Sequence, residues 1–204
     1  MFNASGGNRT QLQELLFQYN EYPDRRDEIV AEIERDFEQT VGIMILDACG
    51  FSRTVHELGI IHFLALLERL WRLVGPTVEE HGGRPLRQEA DNLFAVFPDA
   101  QSALACGKAL QERVEIAKEP LPAASEIYVA VGIGFGRILL VGNDDAWGDE
   151  MNLACKLGED VAQQGEVLLT DAARRALGES PDVRFEVREL RISGLSMTAH
   201  RLVR

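Results

Sequence analysis

The sequence predicts an α+β fold of mostly antiparallel strands with helices on one face. Three observations lead there: short apolar runs of strand type, longer stretches with apolar residues at helical spacing, and turn residues between neighbouring strand-type runs. The chain has 204 residues, 46% of them hydrophobic, which is enough for one sizeable core with a short extension. We divide it into a flexible tail and N-terminal helical arm over 1–39 and a main domain over 40–204.

Residues 1–9 are small and polar and read as a loose tail. Leu12, Leu15, Leu16 and Tyr19 then recur at helical spacing, and after Pro23-Asp24 a second helix carries Ile29, Ile33 and Phe37 on one face. The apolar run from Val41 to Leu46 is a strand ending at Asp47, and Ser52 can cap a long helix over 54–80. Its buried stripe is Val55, Leu58, Phe63, Leu67, Leu70, Trp71, Val74 and Val78, and His81-Gly82-Gly83 ends it. Strands over 84–89 and 92–97 flank Ala90-Asp91 as a hairpin, and Pro98-Asp99 starts a helix running to 117. Glu119 to Pro122 is a loop. Strands over 126–134 and 136–142, a loop over 143–146 and a helix over 148–163 follow. Strands over 166–170 and 183–190 enclose a short helix, and 197–203 is the last strand.

The net charge of −12 argues against nucleic acid as a partner, because phosphate backbones need a basic face. It does not exclude a nucleotide, since metal ions and a few local cations can manage one triphosphate. No apolar stretch is long enough to span a membrane and no signal-peptide pattern opens the chain. Cys49, Cys106 and Cys155 stand far apart, without a CxxC pair, so a reducing cytoplasm fits.

Three segments carry candidate chemistry. Asp47 ends an apolar strand and is followed by Ala48-Cys49-Gly50-Phe51-Ser52. A carboxylate before a glycine turn into a helix can hold Mg²⁺ while free N–H groups face phosphate oxygens; it can equally just hydrogen-bond the turn. Asp91 sits in the hairpin turn of GGRPLRQEADNLFAVF, where acids are commonly structural. Two such strand-end acids from different segments are what a two-metal site needs. In the third segment Asn152 and Lys156 are four apart and share a helix face, either toward one ligand or toward solvent.

Together these segments resemble the catalytic domain of the class III adenylate and guanylate cyclases, from Val41 to Leu177. The first is similar to the family's Asp-x-x-Gly-Phe-Ser/Thr signature, and the second to its Gly-Gly…Lys-x-x-Gly-Asp hairpin. The third is similar to its Asp-x-Trp/Phe-Gly…Asn-x-x-x-Arg stretch, and Gly165 to Leu169 to the strand that follows. The resemblance implies a ferredoxin-like βαββαβ core with added strands and an N-terminal helical extension. By the same resemblance Asp47 and Asp91 bind two metal ions, Mg²⁺ or Mn²⁺. Backbone N–H groups from Ala48 through Cys49, Gly50 and Phe51 to Ser52 cradle phosphates. Asp145 reads adenine's amino group, Asn152 orients the ribose, and a homodimer forms two sites because each chain holds only half of one.

This sequence departs from the family pattern in three places: Arg87 stands at the purine-contacting lysine, Lys156 at the transition-state arginine, and Ala90 at the glycine before Asp91. Lysine supplies a charge without the planar fork of arginine, so a slow enzyme is expected more than a dead one. The first reading is therefore a cyclase converting a nucleoside triphosphate, ATP before GTP, CTP or UTP, to the 3′,5′-cyclic nucleotide and pyrophosphate. The second is a catalytically silent module of the same fold that binds a nucleotide or a partner. Gly132-Ile133-Gly134-Phe135-Gly136 resembles a dinucleotide loop only weakly and reads as glycines at a tight strand connection. His56 and His62 have poor metal spacing, and Cys49 has no visible base to make it a nucleophile.

Overall fold

The computed structural model describes residues 7–118, 127–179, 183–192 and 194–203; the loop expected over Glu119 to Pro122 lies outside them. Strand β1 (Glu38–Cys49) is the spine. Its Val41, Ile43 and Ile45 enter one apolar cluster while Met44, Leu46 and Ala48 enter another on the opposite face. Burial on both faces explains why this segment reads as an unbroken apolar run rather than an alternation.

Strands β2 (Arg84–Glu89) and β3 (Asn92–Phe97) form the expected hairpin, with Ala90 in the turn at φ +53°. Strand β3 pairs antiparallel with one edge of β1, and β4 (Tyr128–Val141) pairs antiparallel with the other. The order β2-β3-β1-β4, with helices between β1 and β2 and between β3 and β4, is the ferredoxin-like βαββαβ unit. Beyond it β6 (Val167–Thr170) joins β4 in parallel. A final hairpin of β7 (Arg184–Ile192) and β8 (Leu195–Val203) extends the sheet through β8, and β5 (Asp145–Trp147) folds back on the end of β4.

Helices cover both faces, which corrects the one-face expectation. On one side α4 (Ile60–Glu80) lays Phe63, Leu67, Leu70, Val74 and Val78, and α5 (Ala100–Lys118) lays Ala103, Cys106, Leu110 and Val114, over Met44, Leu46 and Val131. On the other side α6 (Asp149–Cys155) presses Met151 and Ala154 onto Ile43, Ile45 and Ile138. A short α7 (Asp171–Ala176) follows β6, capped by the Thr170 hydroxyl accepting from the Ala173 N–H. At the N-terminus α1 (Arg9–Glu21) and α2 (Arg26–Phe37) join through Leu12, Leu15, Ile29, Ile33 and Phe37 and close over Val141 of β4. Residues 7–9 are not a loose tail. The Gly7 N–H donates to the Asp36 carbonyl, the Gly7 carbonyl accepts from Gly142, and Asn8 caps α1.

Other departures have local causes. The long helix expected over 54–80 is two, α3 (Phe51–Leu58) and α4, because Gly59 takes a left-handed φ of +84° between them. Gly50, at φ +104°, caps α3, so Ser52 lies inside the first turn rather than before it. Leu58, placed in the buried stripe, faces solvent at 39% exposure because the break rotates α3 away. The loop expected over 143–146 contains the start of β5. The helix expected over 148–163 widens after Cys155 into a π-helical segment, Lys156–Val161.

The glycines at 132, 134 and 136 lie within one continuous strand, so the break expected at 135 does not occur. They leave bare the stretch of β4 against which α6 and the π segment pack. A Cβ on Gly132 would stand 2.2 Å from the Ala154 carbonyl oxygen and 2.5 Å from the Gly158 nitrogen. One on Gly134 would stand 2.9 Å from the Glu150 carbonyl, and one on Gly136 2.7 Å from Glu150 Cγ. Only hydrogen fits, so helix and strand backbones meet directly. Gly132→Ala is expected to cost about 1–3 kcal/mol through forced backbone shifts. Gly75→Ala, in α4 with no tertiary neighbour near the added methyl, is expected to change stability by less than about 1 kcal/mol, because the helix-propensity gain is offset by the restriction Pro76 places on a Cβ before it. Urea unfolding checks the pair; equal midpoints would contradict this packing.

Candidate functional site

The antiparallel register of β1 with β3 sets Asp47 directly opposite Asn92, at the sheet end where the β2–β3 hairpin turns. The Ala48 N–H donates to the Asp91 carbonyl at 3.0 Å, which ties the hairpin turn to the end of β1. Because side chains alternate along strands, Asp47, Asn92 and Arg87 project from the face that α6 covers, as do Ile45 and Phe94. Burial, and then the like charge of Asp91, pushes the Asp47 carboxyl up to about 6. A buried carboxyl whose charge is disfavoured by a neighbouring acid is a place that a divalent cation would relieve.

The donor set fits such an ion. Asn92 Oδ1 is buried with no hydrogen-bond partner, on the same face and opposite Asp47. Two carboxylates and an amide oxygen are all hard oxygen donors, the kind Mg²⁺ and Mn²⁺ take. Among the described residues no group of three or more His, Cys, Asp or Glu forms a closed cage. Glu159 of the π segment adds a carboxyl that sequence reading missed. Burial raises it first, followed by the like charges of Asp160, Asp47 and Glu89.

Beyond Asp47 the chain passes Ala48 and Cys49, turns at Gly50 and enters α3. No side chain caps this helix, and Phe51, Ser52 and Arg53 of its first turn are exposed. Their N–H groups form a first helical turn that an anion can approach. The Cys49 thiol lies 3.7 Å from Asp47 Oδ2 and is pushed up to about 12, chiefly by burial, so it is a poor nucleophile.

The second constellation is built on charge. Arg87 of β2 lies over the Phe94 ring at 4.2 Å and pairs through Nη1 with Asp145 Oδ1 at 2.5 Å. The Ala146 N–H donates to the same oxygen at 2.9 Å. Asp145 is 5% exposed, and its other oxygen pairs with Arg9 Nη2 at 2.8 Å. The loop before β5 is held by Arg84, which donates to the Asn143 carbonyl at 2.9 Å. Arg9 and Arg84 were not singled out from the sequence. Both act across long sequence separations, which no local pattern reports.

Asn152, on α6, is exposed, and Lys156, one turn on, is half-buried where the π segment begins. The Lys156 N–H donates to the Asn152 carbonyl, so the helical path joins them as the spacing implied. Among the described residues Lys156 has no ion-pair partner. The structure thus brings Asp47 beside Asp91 and Arg87 beside Asp145. Asn152 and Lys156 sit on the helix that packs against the same sheet face.

No protein-family model matches the chain. It is 29% identical over 143 residues to "Putative adenylate cyclase 3" of Rhizobium meliloti (strain 1021), covering 70% of this chain. It is 31% identical over 142 residues, covering 68% of this chain, to the serine/threonine-protein kinase pkn2 of Myxococcus xanthus. The chain spans 24% and 16% of the length of these two relatives. Among solved structures it resembles an adenylate/guanylate cyclase/hydrolase from Silicibacter pomeroyi. The TM-score is 0.69 at 24% identity, covering 82% of this chain and 98% of that one. It also resembles the adenylyl cyclase CyaB from P. aeruginosa, with TM-score 0.68 at 17% identity over 82% of this chain and 96% of that one. The chain has the catalytic-domain fold of the class III adenylate and guanylate cyclases, and the Rhizobium meliloti relative, by its name, supports the family resemblance that its motifs carry.

Proposed function

We propose that this chain, with 40–204 as the catalytic domain, is a nucleotide cyclase. It converts a nucleoside triphosphate, ATP first, to the 3′,5′-cyclic nucleotide and pyrophosphate. The observation that carries the reading is the nearness of two acids, Asp47 and the hairpin-turn Asp91, at the end of the sheet face that also presents the Arg87–Asp145 pair. Asp47 and Asp91 are the residues that would hold Mg²⁺ or Mn²⁺, and Asn92 offers a further oxygen nearby. When bound, such ions lower the pKa of a hydroxyl and neutralise phosphate charge.

In the reaction the 3′-oxygen forms a bond to the α-phosphorus, the bond to the β-phosphate oxygen breaks, and the 3′-hydroxyl proton is lost. Catalysis is mostly positioning and charge stabilisation. The exposed N–H groups of Phe51 and Ser52 bind phosphate oxygens at the uncapped start of α3, whereas the Ala48 N–H expected to join them is taken by the Asp91 carbonyl. Asp145 accepts from an exocyclic amino group, and Arg87 both orients Asp145 and donates to the base. Asn152 positions the ribose, and Lys156 sets its charge against the transition state.

Supporting a homodimer is an exposed apolar face beginning just beyond Asp47. Phe51 (43%), Leu58, Ile60, Ile61 (82%) and Leu64 line α3 and the start of α4. A second copy there would cover a patch that water disfavours and bring its own Asn152 and Lys156 toward the acid pair. A silent module is the second reading, favoured by the bonds that already occupy both oxygens of Asp145. No helix among the described residues is long and apolar enough to cross a membrane.

Mass spectrometry after incubation with ATP, GTP, CTP or UTP and Mn²⁺ separates the readings. A cyclic product from one triphosphate is expected, lost in Asp47→Asn and raised about tenfold or more in Lys156→Arg. No product from any of the four, in dimeric protein, would favour the silent module. Without nucleotide, Mn²⁺ is expected to raise the melting temperature of the wild type but not of Asp47→Asn. An equal rise in both would place the ion elsewhere.

A further inference from the structure

Asp145 is reached by a residue from outside the proposed catalytic domain. Arg9, the first residue of α1, pairs with Asp145 Oδ2 at 2.8 Å, while Arg87 and the Ala146 N–H occupy Oδ1. The Arg9 side chain is 57% exposed and that of Asp145 only 7%, so Arg9 is the group standing between this carboxylate and solvent. Its placement is fixed by other contacts. The Gly7 carbonyl accepts from Gly142 at 3.1 Å, in the loop leading to Asp145, and Gln11 Nε2 donates to Asp36 Oδ2 at 3.0 Å. Leu12 and Leu15 are buried against α2 and Val141. The arm is thereby set in register with the pocket loop.

We propose that Arg9 is a gate on the base pocket and that α1 with α2 forms an inhibitory arm. A nucleobase must take Asp145 from Arg9 before it can be read. The inference rests on the reading of Asp145 as the base acceptor. An arginine–carboxylate contact is strong when shielded and weak when wet, and this one is half of each. Displacing it opposes base binding by roughly fivefold in affinity, a penalty that any movement of the arm removes. The penalty falls on the base and not on the phosphates, which bind elsewhere.

The test uses the full chain as wild type, Arg9→Ala and Leu12→Ala, the last loosening the arm without touching Asp145. Calorimetry with Ca²⁺ measures binding of ATP and of inorganic tripolyphosphate, which lacks a base. Both variants are expected to bind ATP roughly fivefold tighter than the wild type and tripolyphosphate equally well. Unchanged or weaker ATP binding in Arg9→Ala, or the same change for both ligands, would overturn the gate. So would absence of ATP binding in every protein. Turnover is not needed. Tighter ATP binding without cyclic product defeats the cyclase reading and leaves the gate standing; cyclic product with unchanged ATP binding does the reverse.

Discussion

The site depends on backbone meeting backbone. Helix α6 and the π segment after it lie on β4 with only glycine hydrogens between the main chains at positions 132 and 134, the Glu150 side chain lies against Gly136, and Gly158 returns the fit from the helix side. A Cβ on Gly158 would come within 3.0 Å of the Ile45 carbonyl oxygen and 3.1 Å of the Gly132 nitrogen. The same face of β1 carries Asp47, two residues beyond Ile45. Packing this close fixes where Asn152 and Lys156 stand on the sheet of their own chain, because a helix held by its main chain has little room to slide. The widening into a π turn at Lys156 accompanies that contact, and such turns are frequent at functional positions.

On this scaffold the charges are arranged in two unlike groups. Around Asp47 the acids outnumber their partners, with Asp91 and Glu159 sharing its neighbourhood, and burial lifts both Asp47 and Glu159 above the ordinary carboxylate range. Around Asp145 the balance is reversed, with two arginines on one carboxylate. The first group attracts cations. The second is neutralised within the chain, and one of its two cations comes from the N-terminal arm. Burial of Asp145 makes such pairing necessary, since an unpartnered carboxylate there would be costly.

Much of this was legible in the sequence, and the reasons are physical. The hairpin around Ala90-Asp91 and the strand through Val41 to Leu46 have unambiguous local signals of period, length and turn residues, although the strand runs on past its expected end at Asp47 to Cys49. Their register then follows from pairing. The break at Gly59 and the continuity of β4 were misjudged for one shared reason. A glycine inside a periodic stretch signals either a bend or a close approach, and only the neighbour decides which. At Gly59 nothing lies within 4 Å of an added Cβ and φ is positive, so it is a bend; at Gly132 another backbone lies within 2.5 Å. Arg9 was invisible because a single arginine in a polar segment carries no periodicity. Its partner lies 136 residues away.

The central claim is that the acid pair of one chain and the Asn152–Lys156 helix of another complete one active site. Subunit mixing tests it most directly. Asp47→Asn and Lys156→Ala proteins are each assayed alone, then mixed after mild dissociation and reassembly, with cyclic nucleotide as the readout. The account predicts near-zero activity for each alone and recovery to about a quarter of wild type on mixing, because half the dimers then carry one intact site. No recovery in mixtures shown to contain the heterodimer would contradict it.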